Sequence, residues 1–256
     1  MSMSFRDIVV LFEDEHFIAV HKPSGLLTIA DRFDTKAPNL ADLLRDERGF
    51  VFKVHRLDKP TSGVVLFAKH KEAHQSVSLQ FEKHTIQKNY LALVSGRVQE
   101  KQYNVDVPIG EAERGLMKID RTHGKPSETE FSVIESFTRW TWLEARPKTG
   151  RTHQIRIHCL AKGTPIVGDM HYGSETGIFL SQLKKNYKRT GDSDEKALPG
   201  RLALHAAALT FLHPWENRPI TVSASLPKDL QSTLNQLRKY AAVAASSHHE
   251  SGALMM

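Results

Sequence analysis

The apolar run Val64-Val65-Leu66-Phe67-Ala68 resumes directly after Lys59-Pro60-Thr61-Ser62-Gly63, and this junction constrains the chain more than any other stretch. Pro, Ser and Gly break an extended backbone into a turn, and the apolar residues behind them read as a strand. Ahead of the turn stands His55-Arg56-Leu57-Asp58. Residues two apart on an extended chain project to one face, so Arg56 and Asp58 point the same way. Asp58 is left at a strand-to-turn junction, where residues that do chemistry often sit. For an arbitrary Asp before a turn, capping that turn beside a solvated Arg56 is the commoner role.

The rest of the chain supplies the other elements. Residues 8–12 and 17–20 flank a polar tetrapeptide and predict a β-hairpin that enters the turn Lys22-Pro23-Ser24-Gly25. A short helix is expected over 39–48. Ala73, Val77 and Phe81 at helical spacing predict a second over 71–83, and a strand follows over 89–94. Residues 131–145 read as two strands, and Thr152 is placed to cap a helix running to about Lys162, closed by Gly163. Strands outnumber helices without regular βαβ spacing, which points to an α+β fold around one sheet. No linker or repeat interrupts the run, so residues 1–230 are expected to form one domain and 231–256 a partly disordered extension.

Lys and Arg exceed Asp and Glu by 6 in the 256 residues, which suits a polyanionic partner. The single cysteine, Cys159, allows no intramolecular disulfide and fits a reducing cytoplasm. The N-terminal apolar run is too short for a signal or a membrane span. Histidine is abundant, yet no pair comes with carboxylates at zinc-ligand spacing, and there is no Walker loop or dinucleotide glycine pattern. Neither a metal nor another cofactor is expected.

The nonapeptide from His55 to Gly63 resembles the H-R-L-D-x-x-T-S-G signature of the RluA-type pseudouridine synthases at every fixed position. Further blocks resemble that family in its own order: Lys22-Pro23-Ser24-Gly25, Lys88-Asn89-Tyr90, Thr149-Gly150-Arg151-Thr152-His153-Gln154-Ile155-Arg156, Pro165-Ile166-Val167-Gly168-Asp169 and Arg201-Leu202-Ala203-Leu204-His205-Ala206. The resemblance implies a mixed, mostly antiparallel sheet bent around a central cleft, flanked by helices, in a stand-alone chain without an S4-like domain. It implies a cofactor-independent isomerase that turns uridine in structured RNA into pseudouridine in a bacterial cytoplasm. tRNA is slightly favoured over 23S rRNA as the substrate. No obligate protein partner is evident, and a monomer is expected.

On that resemblance Asp58 is the essential carboxylate, Arg151 the guanidinium that pairs with it, and Tyr90 the ring that stacks on the target base and serves the C5 proton. The carboxylate either attacks C1′ of the ribose or removes a C2′ proton to form a glycal. Arg56 would take the place of the extruded nucleotide or contact its former partner, Leu202 would wall the base, and His55, Thr61, Lys125 and Lys148 would bind substrate. Lys22, Lys53, Lys59 and Arg156 are further candidates for phosphate contacts. Residues 111–130 resemble a protruding hairpin that grips RNA, although Glu111 and Ser127 depart from the family's common Arg and Ala. The basic segment Lys184-Lys185-Asn186-Tyr187-Lys188-Arg189 reads either as an RNA-binding strip or as a solvated loop. Two other functions remain open on the sequence: an RNA-binding or RNA-folding protein on the same scaffold, and an RNA N-glycoside hydrolase that releases uracil.

Overall fold

The computed structural model describes residues 4–31, 34–173, 177–185, 187 and 194–243. The chain runs through β1 (Val9–Glu13), β2 (Phe17–Lys22), α1 (Leu40–Arg48), β3 (Phe52–Lys53), β4 (Ser62–Ala68), α2 (Lys71–Glu82) and β5 (Gln87–Ser95). It continues through β6 (Gln102–Asp106), β7 (Ile109–Glu111), β8 (Met117–Ile119), β9 (Glu128–Ser136), β10 (Trp140–Pro147), α3 (Gln154–Ala161), α4 (Leu180–Leu183), β11 (Leu204–His213), β12 (Arg218–Ser223) and α5 (Lys228–Tyr240). Ten strands form one sheet in the order β1-β2-β4-β11-β5-β10-β9-β6, with β12 beside β11 and β3 beside β4, while β7 and β8 pair only with each other. Among the described residues β4 with β11 is the one parallel pair of strands, so the sheet is mixed and mostly antiparallel, as expected.

From Val64 to Ala68 β4 is apolar because both its faces are covered. Val65 and Phe67 pack with Leu40 and Leu44 of α1, and Val64, Leu66 and Ala68 lie in a second cluster with Ala73 and Val77 of α2. Its first residues are fixed against β11, with Ser62 opposite His205 and Gly63 opposite Ala206. Gly63 has φ of +123°, and a Cβ there would lie 2.1 Å from the Ala206 carbonyl oxygen, so the strands approach this closely only with glycine. Behind the pair, the fully buried His205 accepts from the Ser62 hydroxyl at 3.0 Å and donates to the Ala224 carbonyl at 3.2 Å. Burial pulls its imidazole down to about 4, which keeps it neutral.

One register row explains why separate sequence blocks belong together. Lys22, Gly63, Ala206, Tyr90 and Ala145 are successive direct partners across β2, β4, β11, β5 and β10. Direct partners share a face. Residues far apart in the chain are thereby set in line beside the turn that carries Asp58.

Two expectations change. Leu230, Thr233, Leu234 and Leu237 of α5 are buried at helical spacing, and the leucines join the central core, so a boundary at 230 falls inside a packed helix. The extension expected beyond it is helical as far as Tyr240, and residues 244–256 lie outside the described residues. Helix α3 starts at Gln154 with His153, not Thr152, at its N-cap. No side chain caps its first turn, and the Gln154 side chain instead accepts from the Arg151 amide in the preceding loop at 2.9 Å. No helix among the described residues is long and apolar enough to cross a membrane.

Candidate active site

Asp58 sits on a turn braced from below by the Lys22 block. The Lys22 side chain is fully buried, and its ammonium donates to the carbonyls of Pro23, Leu26 and Lys59 at 3.0, 2.7 and 3.1 Å. Burial pulls the group down to about 7 while the Asp58 charge supports it. Three carbonyl acceptors call for three N–H donors, which only the ammonium form supplies. Ser24 donates its hydroxyl to Pro60 O and the Gly25 amide donates to Lys59 O, so the turn is held at successive carbonyls. Lys22 is therefore a buried brace and offers nothing to a phosphate.

The guanidinium beside Asp58 belongs to Arg156, and this corrects the expected Arg151–Asp58 pair. Arg156 lies on α3, 3% exposed, with Nη1 3.5 Å from Asp58 Oδ2. Its other nitrogens bond Asp169 at 2.8 and 2.7 Å, a bidentate fork that fixes the plane of the group. Burial alone would raise the Asp169 carboxyl, but the Arg156 hydrogen bonds and charge outweigh it and hold it below its ordinary value. Arg151 lies in the loop ahead of the helix and donates Nε to the Pro126 carbonyl at 3.0 Å. It lines the same cavity as Asp58 without pairing with it.

That cavity, of about 590 Å³, is lined by Asp58, Tyr90, Arg56, Thr61 and Leu204 among others. Its volume lies within the range of small-molecule and cofactor sites. The Tyr90 phenol is pushed up by burial, with the Asp58 charge adding to the effect, so it stays protonated. Thr61 is 2% exposed and its hydroxyl has no partner among the described residues. Lys88 donates to Thr149 O at 2.7 Å beside the cavity, and burial pulls its amine down to about 8.

Several expected contacts fall elsewhere. Leu202 is 2% exposed within the central core, and the leucine at the cavity wall is Leu204. His55 does line the cavity, but its Nε2 is taken up bracing β4, where it accepts from the Leu66 amide at 2.9 Å; the ring stacks on Phe81, and burial pulls it down to about 3. Lys148 pairs with Glu130 at 2.7 Å. Lys53, Lys59 and Lys125 are exposed, as is Arg56 at the cavity, and Lys125 exchanges backbone hydrogen bonds with Ile109 at the base of the β7–β8 hairpin. Of the segment 184–189, residues 186, 188 and 189 lie outside the described residues.

The block around α3 owes its sequence to stitching. Gln154 accepts the Thr149 hydroxyl at 2.7 Å and donates to Glu128 O and Thr129 Oγ1 at 2.9 and 3.0 Å. His158 is fully buried between Thr129 and Ser127 at 2.9 and 3.1 Å, and burial pulls it down to about 4. His153 and Tyr172, not singled out from the sequence, also adjoin Asp58 or its partner: His153 Nε2 is 3.7 Å from Asp58 Oδ2, and the Arg156 guanidinium lies 4.7 Å over the Tyr172 ring. A signal for Arg156 was present, since an arginine between Ile155 and Ile157 in a short helix requires a buried counter-charge, and Asp169 closes one of the recognised blocks.

The carboxylate, fixed guanidinium and aromatic ring around one cavity define an enzyme site suited to a nucleoside. The RNA pseudouridylate synthase family matches residues 16–161. The ribosomal large subunit pseudouridine synthase C of Vibrio vulnificus is 35% identical over 90% of this chain and 69% of its own length. The dual-specificity RNA pseudouridine synthase RluA of Vibrio parahaemolyticus is 36% identical over 80% of this chain and 78% of its own. Among solved structures, human RNA pseudouridylate synthase domain containing 1 superposes with a TM-score of 0.65 at 26% identity, covering 95% of this chain and 99% of that one. The chain belongs to the RluA-type family of RNA pseudouridine synthases, and it is an isomerase acting on RNA.

Proposed function

We propose that this isomerase converts a uridine in 23S rRNA or tRNA, the two RNA classes weighed from its sequence, with Asp58 as the reacting carboxylate. The observation that carries the reading is the placement of Asp58 Oδ2 beside a guanidinium already locked by Asp169, in a cavity shared with Tyr90. The names of the relatives point to the large ribosomal subunit and, for RluA, to two classes of RNA. In the reaction the N1–C1′ bond breaks and the departing uracil holds the electron pair over its carbonyl groups. Asp58 either bonds C1′ or takes the C2′ proton, and the base turns. As C5 bonds C1′, the Asp58–C1′ bond breaks or the proton returns to C2′, the C5 proton leaves to solvent, and N1 takes a proton in its place. No cofactor enters this balance.

The protonated Tyr90 offers a stacking face, worth about 1–3 kcal/mol per base, against the few kcal/mol spent in unstacking a paired uridine. Thr61 lines the cavity with its hydroxyl buried, and exposed Arg56 stands at the cavity for the strand left behind. The enzyme works in the cytoplasm, where both RNAs reside. The test is tritium release from C5-labelled uridine in 23S rRNA and tRNA transcripts, with nucleoside analysis of the products. Release together with pseudouridine from one or both RNAs is expected. Free uracil and an abasic product would instead identify a hydrolase.

A further inference from the structure

Two hydrogen bonds and a longer polar contact lead from the β7–β8 hairpin to Asp58. The Met117 amide, on β8, donates to the Tyr172 hydroxyl at 2.8 Å, and that hydroxyl meets His153 Nδ1 at 2.7 Å. The other ring nitrogen, Nε2, faces Asp58 Oδ2 at 3.7 Å. Tyr172 is itself fixed, because its amide donates to Asp169 at 3.1 Å and the Arg156 guanidinium lies over its ring.

The proton positions follow from counting donors. Tyr172 has one O–H, and its oxygen already accepts from Met117. If the hydroxyl donates to Nδ1, the Met117 amide and the tyrosine O–H both have acceptors, and Nε2 carries the imidazole proton towards Asp58. The opposite tautomer would leave the tyrosine proton without a partner and turn a lone pair towards the carboxylate. The groups around the imidazole are Asp58, Arg156, Asp169, His171 and Tyr172, and burial, aided by Arg156 and His171 against the two carboxylates, holds it below its ordinary value. A neutral ring with a set tautomer results.

His153 and Arg156 both approach Oδ2, so Oδ1 is left for the substrate. At 3.7 Å the His153 contact is too long for a hydrogen bond, and such contacts commonly shorten when substrate enters. The backbone adds a second sign of selection, since His153 takes φ of +55°, a region most side chains avoid and one that is enriched at functional sites.

We propose that His153, with its tautomer set by Tyr172, is a positioning residue that turns the Asp58 carboxylate so that Oδ1 meets the ribose. The proposal rests on the isomerase reading above and deepens it. It is tested with His153→Asn, whose side chain tolerates the left-handed backbone, with Tyr172→Phe, which keeps the ring over Arg156, and with the double variant. Tritium-release kinetics, RNA dissociation constants by filter binding and thermal melting are measured on each.

Each single substitution is expected to lower kcat about tenfold or more with KM and RNA affinity kept within about twofold. The double variant should be no slower than His153→Asn, because Tyr172 acts through His153. A folded His153→Asn enzyme with wild-type kcat, or losses that multiply in the double variant, would overturn the proposal. If His153→Asn does not fold, wild-type kcat in Tyr172→Phe overturns it alone. No release by the wild type would overturn the isomerase reading, and the proposal with it.

Discussion

Asp169 holds Arg156 by two hydrogen bonds of 2.8 and 2.7 Å, and so fixes the guanidinium whose remaining nitrogen faces Asp58. Both members of the pair are almost fully buried, at 3% and 1% exposure. A buried ion pair adds little net stability over an apolar pair, but it fixes geometry, and breaking it from one side is costly.

Asp169→Asn should therefore lower stability by about 3 kcal/mol and reduce turnover as well, since Arg156 loses its counter-charge and its fork. Urea unfolding and tritium release on the same preparation check both effects. Unchanged stability would mean that the fork is not the anchor of the guanidinium.

Arg151 and Arg156 separate cleanly. Arg156→Lys removes the planar fork and is expected to cost about a hundredfold in kcat. Arg151→Gln loses one hydrogen bond to the Pro126 carbonyl and is expected to cost less than about threefold. The reverse ranking in steady-state kinetics would restore Arg151 as the partner of Asp58.

The difference shows what the sequence could and could not reveal. Asp58 and Tyr90 were singled out on the resemblance of the blocks around them, and both line the cavity, while the β1–β2 hairpin, α1 and α2 declared themselves by turn residues and periodicity. Which arginine reaches Asp58 was not legible, because it depends on which one the fold buries against Asp169. The Gln154 side chain holds the Arg151 amide in the loop ahead of α3, whereas Arg156 lies inside the buried helix. Leu202 and Leu204 lie two residues apart and look alike in sequence, yet only Leu204 reaches the cavity. The buried stripe of α5 was written in the sequence, with Leu230, Leu234 and Leu237 at helical spacing between polar residues.

Lys22→Met should loosen the turn that carries Asp58. It leaves carbonyl groups of Pro23, Leu26 and Lys59 without their shared donor, at a cost of about 2–3 kcal/mol, and should lower kcat more than RNA affinity. Melting temperature, kcat and filter binding together check this. A variant as active as wild type would show that the turn holds itself.

Stability should fall on acidification below pH 6.5. His205 and His158 are held down to about 4 by burial, so between pH 6.5 and about 4 the unfolded chain binds protons that the folded chain refuses. Their contribution is complete above 6.5 and is lost as pH falls towards 4, by at most about 3 kcal/mol per group. Thermal melting from pH 7.5 to 4.5 should be level at first and then decline. A level profile throughout would contradict neutral, buried histidines at these positions.

Asp58→Asn keeps the size of the side chain and removes the carboxylate. Assayed beside wild type on C5-tritiated 23S rRNA and tRNA transcripts, with RNA affinity measured in parallel, it tests the central claim most directly. The account predicts that the variant binds the RNA within about threefold of wild type and releases no tritium above background, while the wild type turns over. Turnover by Asp58→Asn comparable to wild type would contradict it.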